Sequence, residues 1–381
     1  MSSHPIALAD PAADHASLAS EIESAVLQVL RSGRYVLGPE HDAFEQELAL
    51  KLGTPHGFAV SNGSDALLLP LMALDLEPGD EVITTPFTFF ATGGAVHRVG
   101  AKPVFVDIDP ETWNLDPARV AERIGARTRV VMPVHLYGKP APLTALEALC
   151  TRHDLCLIED AAQAILSQVD GRSCGTVGRF GGYSFFPSKN LGAAGEGGYI
   201  AVREADDAAR IKALRTHGET QRYHHRYVGG NFRMHALQAA ILRVKLRQLE
   251  GWNERRRQNA KRYLELLRGA GLDARVQLPR WECNEVWNVH QFTIEVDRRD
   301  EVQKKLAEKG IATGVYYPVP LHLQECFAYL GYKKGDLPHA ERAAARVLSL
   351  PVGPHVSAAD QERVVRELAA VLDHVRAGEL V

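Results

Sequence analysis

The residues most suggestive of chemistry lie in Ser184-Phe185-Phe186-Pro187-Ser188-Lys189-Asn190 and the glycine-rich run that follows it, Leu191-Gly192-Ala193-Ala194-Gly195-Glu196-Gly197-Gly198. Glycines there let backbone or a ligand approach closely. An amine held off a charged surface is nucleophilic when neutral, and partial burial favours the neutral form. Lys189 is therefore a candidate Schiff-base former; the plainer reading is a loop lysine with its head in water. A second run, Leu155-Cys156-Leu157-Ile158-Glu159-Asp160-Ala161-Ala162-Gln163, is an apolar strand that ends in a carboxylate. A strand-end aspartate and a loop lysine are two of the parts a pyridoxal phosphate site needs, since a carboxylate keeps a pyridine nitrogen protonated. The alternative for Asp160 is a helix N-cap.

Three further stretches carry candidate binding groups. Ser61-Asn62-Gly63-Ser64-Asp65 separates a short strand from an apolar helix, and a helix N-terminus with free N–H groups can hold a phosphate. It can equally be a helix capped by Ser64 or Asp65 with no ligand. In Phe87-Thr88-Phe89-Phe90 the rings are core residues, or one of them stacks on a flat cofactor. Between Arg215 and Arg233 the chain gathers Arg215, His217, Arg222, His224, His225, Arg226 and Arg233 around one acid, Glu219. That run is a solvated basic loop or a clamp on an anion such as a diphosphate, for which arginine forks and histidine donors suit phosphate oxygens. Tyr317 and His322, beside Pro318 and Pro320, are structural or line a rigid substrate-facing loop.

The elements that must position these groups follow from periodicity. Helices are predicted over 17–32 and from Pro39 to Leu52, each closed by a glycine. Apolar strands at 81–85, 103–108, 130–136 and 155–160 alternate with helices, including 143–153. Near-continuous apolar strands fit a mainly parallel sheet covered on both faces, with ligands beyond the carboxyl ends of the strands. Asp160, His135 and the Phe89 region all fall at such ends. One long helix is predicted from His235 to Leu267, with a domain boundary inside it. This gives an α/β chain: a large domain over 1–245 with an N-terminal helical segment, and a smaller α+β domain over 246–381. In the latter, strands are predicted at 289–296 and 312–317 and a final helix from Ser357.

At 381 residues the chain is long enough for two domains and a large core. A net charge of −3 gives no global reason to expect a nucleic-acid or membrane partner. Five cysteines, odd in number and without C-x-x-C spacing, argue against a disulfide framework or a zinc ribbon and suit a reducing cytoplasm. Met1-Ser2-Ser3-His4-Pro5 lacks a basic region followed by an apolar core, so no signal peptide is expected. No run approaches the ~18 apolar residues of a membrane span.

Taken together, these residues resemble the DegT/DnrJ/EryC1/StrS family of sugar aminotransferases, fold type I enzymes that use pyridoxal 5'-phosphate. The likeness runs through Gly33–Pro39, Asn62-Gly63-Ser64-Asp65-Ala66-Leu67, Pro133-Val134-His135-Leu136-Tyr137-Gly138, Glu159-Asp160-Ala161-Ala162-Gln163-Ala164, Ser184–Asn190, Asn231-Phe232-Arg233-Met234 and Tyr317–His322. It implies that Lys189 bonds the cofactor, Asp160 pairs with its ring nitrogen and Gln163 meets its phenolic oxygen side. Phe89 matches the stacking position, and Gly63, Ser64 and Ser184 match phosphate binders. Asn231 matches an asparagine that reaches the neighbouring subunit's cofactor, so a homodimer with shared sites is implied. Tyr317 and His322 match substrate-side positions, and His217, Tyr223, His224, His225 and Arg226 of the basic run are expected to bind the substrate as well.

The implied reaction moves an amino group from an amino acid, L-glutamate by expectation, to a nucleotide-linked keto-hexose. The run Arg222–Tyr227 resembles members that aminate the 3-keto position. A 4-keto sugar or a cyclitol acceptor and a non-catalytic regulatory relative remain alternatives. A related dehydratase, which has histidine in place of the lysine, is disfavoured by Lys189. Two departures from the family pattern, Ile165 where many members carry histidine and Phe232-Arg233-Met234 after Asn231, bear on the substrate and not on the cofactor.

Overall fold

The computed structural model describes residues 4–377; residues 1–3, part of the stretch read for a signal peptide, and 378–381 lie outside the described residues. Its centre is a seven-stranded sheet. The strands are β1 (His56–Val60), β2 (Glu81–Thr84), β3 (Lys102–Phe105), β4 (Thr128–Met132), β5 (Cys156–Asp160), β6 (Phe180–Ser184) and β7 (Gly198–Val202). They lie in the order β1-β7-β6-β5-β4-β2-β3. Only β7 runs antiparallel to its neighbours, β1 and β6, so the expected mainly parallel sheet is present.

Helices α2 (Pro39–Leu52), α3 (Gly63–Ala73), α4 (Phe90–Arg98) and α5 (Leu143–His153) cover the sheet, and α1 (Ala19–Ser32) lies outside them. On one face Leu67, Leu68 and Leu71 of α3 pack with Phe180, Ile158 and Ile200. On the other, Phe44 and Leu48 of α2 meet Tyr183 and Tyr199. Such side-to-side alternation along a strand is what its two-residue period requires. Gly182 lets α3 come close, because a Cβ there would lie 2.8 Å from Leu67 Cδ2 and 2.9 Å from Ala66 O. The cap of α3 is Asn62, not Ser64 or Asp65: its side chain accepts from Asp65 N–H at 2.9 Å.

The predicted helix 235–267 is two helices, α6 (Ala236–Leu246) and α7 (Leu249–Gly269). The break places Leu246 and Leu249 in the same buried cluster. Beyond it, β8 (Phe292–Glu295) pairs antiparallel with β9 (Val347–Leu350) under the last helix, α8 (Ala358–Ala377). Residues 312–317, expected as a strand, are not one. Only isolated bridges, such as Gly314 with Ser349, hold this segment, which runs on into the proline-rich turn. The C-terminal core is continuous with the sheet through Phe87, Phe105, Trp113 and Tyr137.

The N-terminal segment also joins that C-terminal part. Ile6 is buried and forms a parallel bridge with Ile311, with Ile6 N–H donating to Gly310 O at 2.8 Å. His4 Nε2 lies 2.9 Å from Asp360 Oδ1.

Candidate active site

The carboxyl ends of β5 and β6 and the first turns of α3 and α4 converge on one cleft. Asp160 is the last residue of β5 and is 5% exposed. Its Oδ2 accepts from Thr92 Oγ1 at 2.8 Å and its Oδ1 from Ala162 N–H at 3.2 Å. Burial pushes the carboxyl upward; the Thr92 and Ala162 donors, and then the positive field of Lys189, oppose it. The second lone pair on each oxygen is left for a cationic donor.

Lys189 sits in the loop after β6, half-buried, its own N–H bonded to Phe186 O at 2.8 Å. Burial pulls its amine down to about 8, with Asp160 opposing the shift. The lysine and the strand-end carboxylate are within reach of each other's field, which favours the Schiff-base candidate over a solvated loop lysine.

Gln163 follows Asp160 by three residues and is fixed at both ends of its amide. Its Oε1 accepts from Tyr137 N–H at 2.6 Å, and its Nε2 donates to Tyr317 Oη at 3.2 Å. The Tyr317 phenol is pushed up, chiefly by burial and next by Asp160, so its proton stays on to be donated. Phe89 lies beside it, ring centroids 5.9 Å apart, and is 56% exposed. An aromatic face left open next to a buried acid is suited to a flat ring.

The phosphate side is equally defined. Gly63 opens α3, and a Cβ added to it would lie 2.6 Å from Ser184 Cβ and 2.9 Å from Ser184 Oγ. The helix start and the end of β6 are thus in contact, which sets the Gly63 and Ser64 backbone N–H groups beside the Ser184 hydroxyl. This is a cradle of donors at the positive end of a helix. The donor set fits pyridoxal phosphate: an acid for the ring nitrogen, an amine for the aldehyde, an amide for the phenolic oxygen and a cradle for the phosphate.

Other sequence candidates are not brought to this cleft within the chain. His217, Tyr223, His224, His225 and Arg226 lie exposed on and around the antiparallel hairpin Glu219–Gln221 and His224–His225, with local contacts such as His225 Nδ1 to His217 O at 3.0 Å. Asn231 is exposed at the foot of that hairpin and accepts from Arg233 Nε at 2.9 Å. His322 is buried: its Nε2 lies 3.1 Å from Glu341 Oε1 and its ring faces Tyr332, contacts that pin the turn after the prolines.

Sequence reasoning missed three contributors. Thr92 holds Asp160, as described. His290, buried, has Nδ1 at 3.1 Å from Asn190 Oδ1. Burial first, then Lys189 and Arg256, drive it well below the usual histidine range, so it is neutral. His135 and Glu159 form a buried pair at 2.9 Å behind Asp160. Ala141 N–H donates to His135 Nδ1 at 2.9 Å, so Nε2 carries the proton toward Glu159. Glu159 also accepts backbone N–H groups of Gly175, Val177 and Gly178, which braces the end of β5. Only the strand-end position of His135 was visible in the sequence.

Residues 16–369 match the DegT/DnrJ/EryC1/StrS aminotransferase family. The chain is 45% identical, over 97% of its length and 99% of the relative's, to a pleiotropic regulatory protein of Geobacillus stearothermophilus. It is 42% identical, over 96% of its length and 97% of the relative's, to a UDP-N-acetyl-3-dehydro-alpha-D-glucosamine 3-aminotransferase of Acidithiobacillus ferrooxidans. Among solved structures, S. venezuelae DesV in complex with a ketimine intermediate superposes with a TM-score of 0.94 at 40% identity, covering 97% of this chain and 99% of that one. The expected aminotransferase activity and pyridoxal phosphate dependence stand with these findings. With the acid, amine, amide and phosphate cradle assembled in one cleft, the chain belongs to the DegT/DnrJ/EryC1/StrS aminotransferase family.

Proposed function

We propose that this aminotransferase moves the amino group of L-glutamate to a nucleotide-linked hexose with its carbonyl at the 3-position, in the cleft at the carboxyl ends of β5 and β6. The observation that carries the reading is the buried Asp160 at the end of β5, held by Thr92, with Gln163 bonded to Tyr137 and Tyr317 and with Lys189 in the loop after β6. The 3-position is supported by the relative that acts on a 3-dehydro sugar and by the run Arg222–Tyr227.

Pyridoxal phosphate, when bound, supplies an electrophilic aldehyde and a ring that takes up the electron pair left when a proton leaves the substrate carbon. The protein's part is binding, orientation and proton transfer. Gly63 and Ser64 N–H groups and the Ser184 hydroxyl would hold the phosphate. Phe89 would cover a ring face, Gln163 would face the phenolic oxygen, and an Asp160 oxygen would accept the ring N–H. Lys189 Nζ, free and neutral, takes the proton from the substrate carbon and returns it one position away. Tyr317 donates its hydroxyl toward the substrate. His217, Tyr223, His224, His225 and Arg226 meet the diphosphate of a sugar bound mainly in a partner subunit, and Asn231 reaches that partner's cofactor phosphate. The working unit is then a homodimer, placed in the cytoplasm. Among the described residues no helix is long and apolar enough to cross a membrane.

A second reading, a regulatory protein without catalysis, is suggested by the name of the Geobacillus relative. It predicts no colour on adding pyridoxal phosphate and no amino transfer. The deciding assay runs the reaction backwards: purified protein with UDP-, dTDP- and GDP-linked 3-amino and 4-amino sugars, aminocyclitols and 2-oxoglutarate, followed by glutamate formation. Glutamate from a 3-amino sugar is expected, whereas glutamate from 4-amino sugars or cyclitols alone moves the acceptor. Lys189→Ala should abolish the transfer and still bind pyridoxamine phosphate.

A further inference from the structure

Two buried hydroxyls stand behind Asp160. Thr88 precedes the cap residue Phe89 of α4, and Thr92 lies in the first turn, four residues on. Thr92 Oγ1 is 2.8 Å from Asp160 Oδ2 and 2.9 Å from Thr88 Oγ1. An ionised carboxylate only accepts, and a hydroxyl has a single proton to give. Thr92 therefore donates to Asp160, and Thr88 must donate to Thr92. Each link polarises the next, and a donor to an ionised oxygen makes a stronger bond than one to a neutral group.

We propose that Thr92, backed by Thr88, is the positioning residue that keeps Asp160 ionised and aims its carboxylate at the pyridine nitrogen. This rests on the reading of Asp160 as the ring's partner. The other groups in Asp160's electrostatic surroundings are Lys189, His135 and Tyr317. Lys189 bonds the cofactor in the loaded protein and is released from it during the reaction, so it is not a fixed partner of the acid. His135 is engaged with Glu159, and Tyr317 is a neutral phenol bonded to Gln163. Apart from the Ala162 N–H, Thr92 is the donor that stays. The same turn carries Phe89, so one helical segment sets both the ring face and the acid.

Thr92→Val keeps the shape and removes the proton. The carboxylate becomes the stronger base and draws the ring proton toward itself. The ring loses positive charge, and the nitrogen joining it to Lys189 holds its proton to higher pH. Visible absorbance of the reconstituted protein should then persist upward by about one pH unit. Apoprotein should bind pyridoxal phosphate about tenfold more weakly in equilibrium dialysis. Thr92→Ser should restore both, and Thr88→Val should give a smaller upward shift. If Thr92→Val does not fold by circular dichroism, Thr88→Val decides in its place. Wild-type titration and wild-type affinity in the deciding variant overturn the proposal. A wild-type protein that gains no borohydride-sensitive colour with pyridoxal phosphate instead overturns the cofactor assignment on which the proposal rests.

Discussion

Lys189 and Asp160 respond to one burial in opposite senses: the amine is driven toward its neutral form and the acid toward its own, and each charge resists the other's shift. Capture of pyridoxal phosphate by the apoprotein needs the free amine. With that amine at about 8, the capture rate should rise about tenfold per pH unit below 8 and flatten above it, measured by growth of visible absorbance over pH. A rate still climbing near pH ~10 would mean the lysine keeps its ordinary basicity. Asp160→Asn replaces the acceptor with an isosteric amide. It should fold with a near-unchanged melting temperature and lose about a hundredfold or more in amino transfer, the scale of removing one charge-stabilising group. Near-normal turnover in that variant would remove the role assigned to the acid.

At the scale of elements, the contact between α3 and β6 shapes the proposed phosphate cradle. Gly63→Ala places a methyl 2.6 Å from Ser184 Cβ, inside any real separation, so helix start and strand end must part. Pyridoxal phosphate affinity should fall about tenfold, on the scale of a point change that strains a packed site. Equilibrium dialysis reads the loss, and an unchanged affinity would place the phosphate elsewhere.

The sheet was legible in sequence because strands covered on both faces are apolar along their length, and Asp160 was legible because it ends such a strand. Thr92 was not: its bond joins a helix turn to a strand 68 positions away, and no local pattern records that. Residues 312–317 misled for the opposite reason. Val315, Tyr316 and Tyr317 are good strand formers, but the segment pairs only through isolated bridges. The break between Leu246 and Leu249 was hidden because each half keeps good helix-forming residues, and only shared burial of the two leucines demands the offset.

For the whole molecule, we propose two domains divided at 245/246, and a dimer in which the exposed hairpin of one protomer completes the cleft of its partner. Mixing Lys189→Ala with Asn231→Ala subunits should then recover activity, since one of the two clefts in each mixed dimer has both residues intact. Recovery toward a quarter of the wild-type level is the expectation for random mixing, and none would count against shared sites. The first residues of the chain bear on this picture from the other side. Ile6 fills a place in the C-terminal core while α1 lies on α6, so the leading segment clasps both halves at once. Shortening the chain to begin at residue 10 would leave a bare slot beside Ile311 and loosen the lobe that carries Tyr317. A peptide matching residues 4–9, supplied separately, would have a ready berth in such a trimmed protein, much as a detached clip can be pressed back onto its rail.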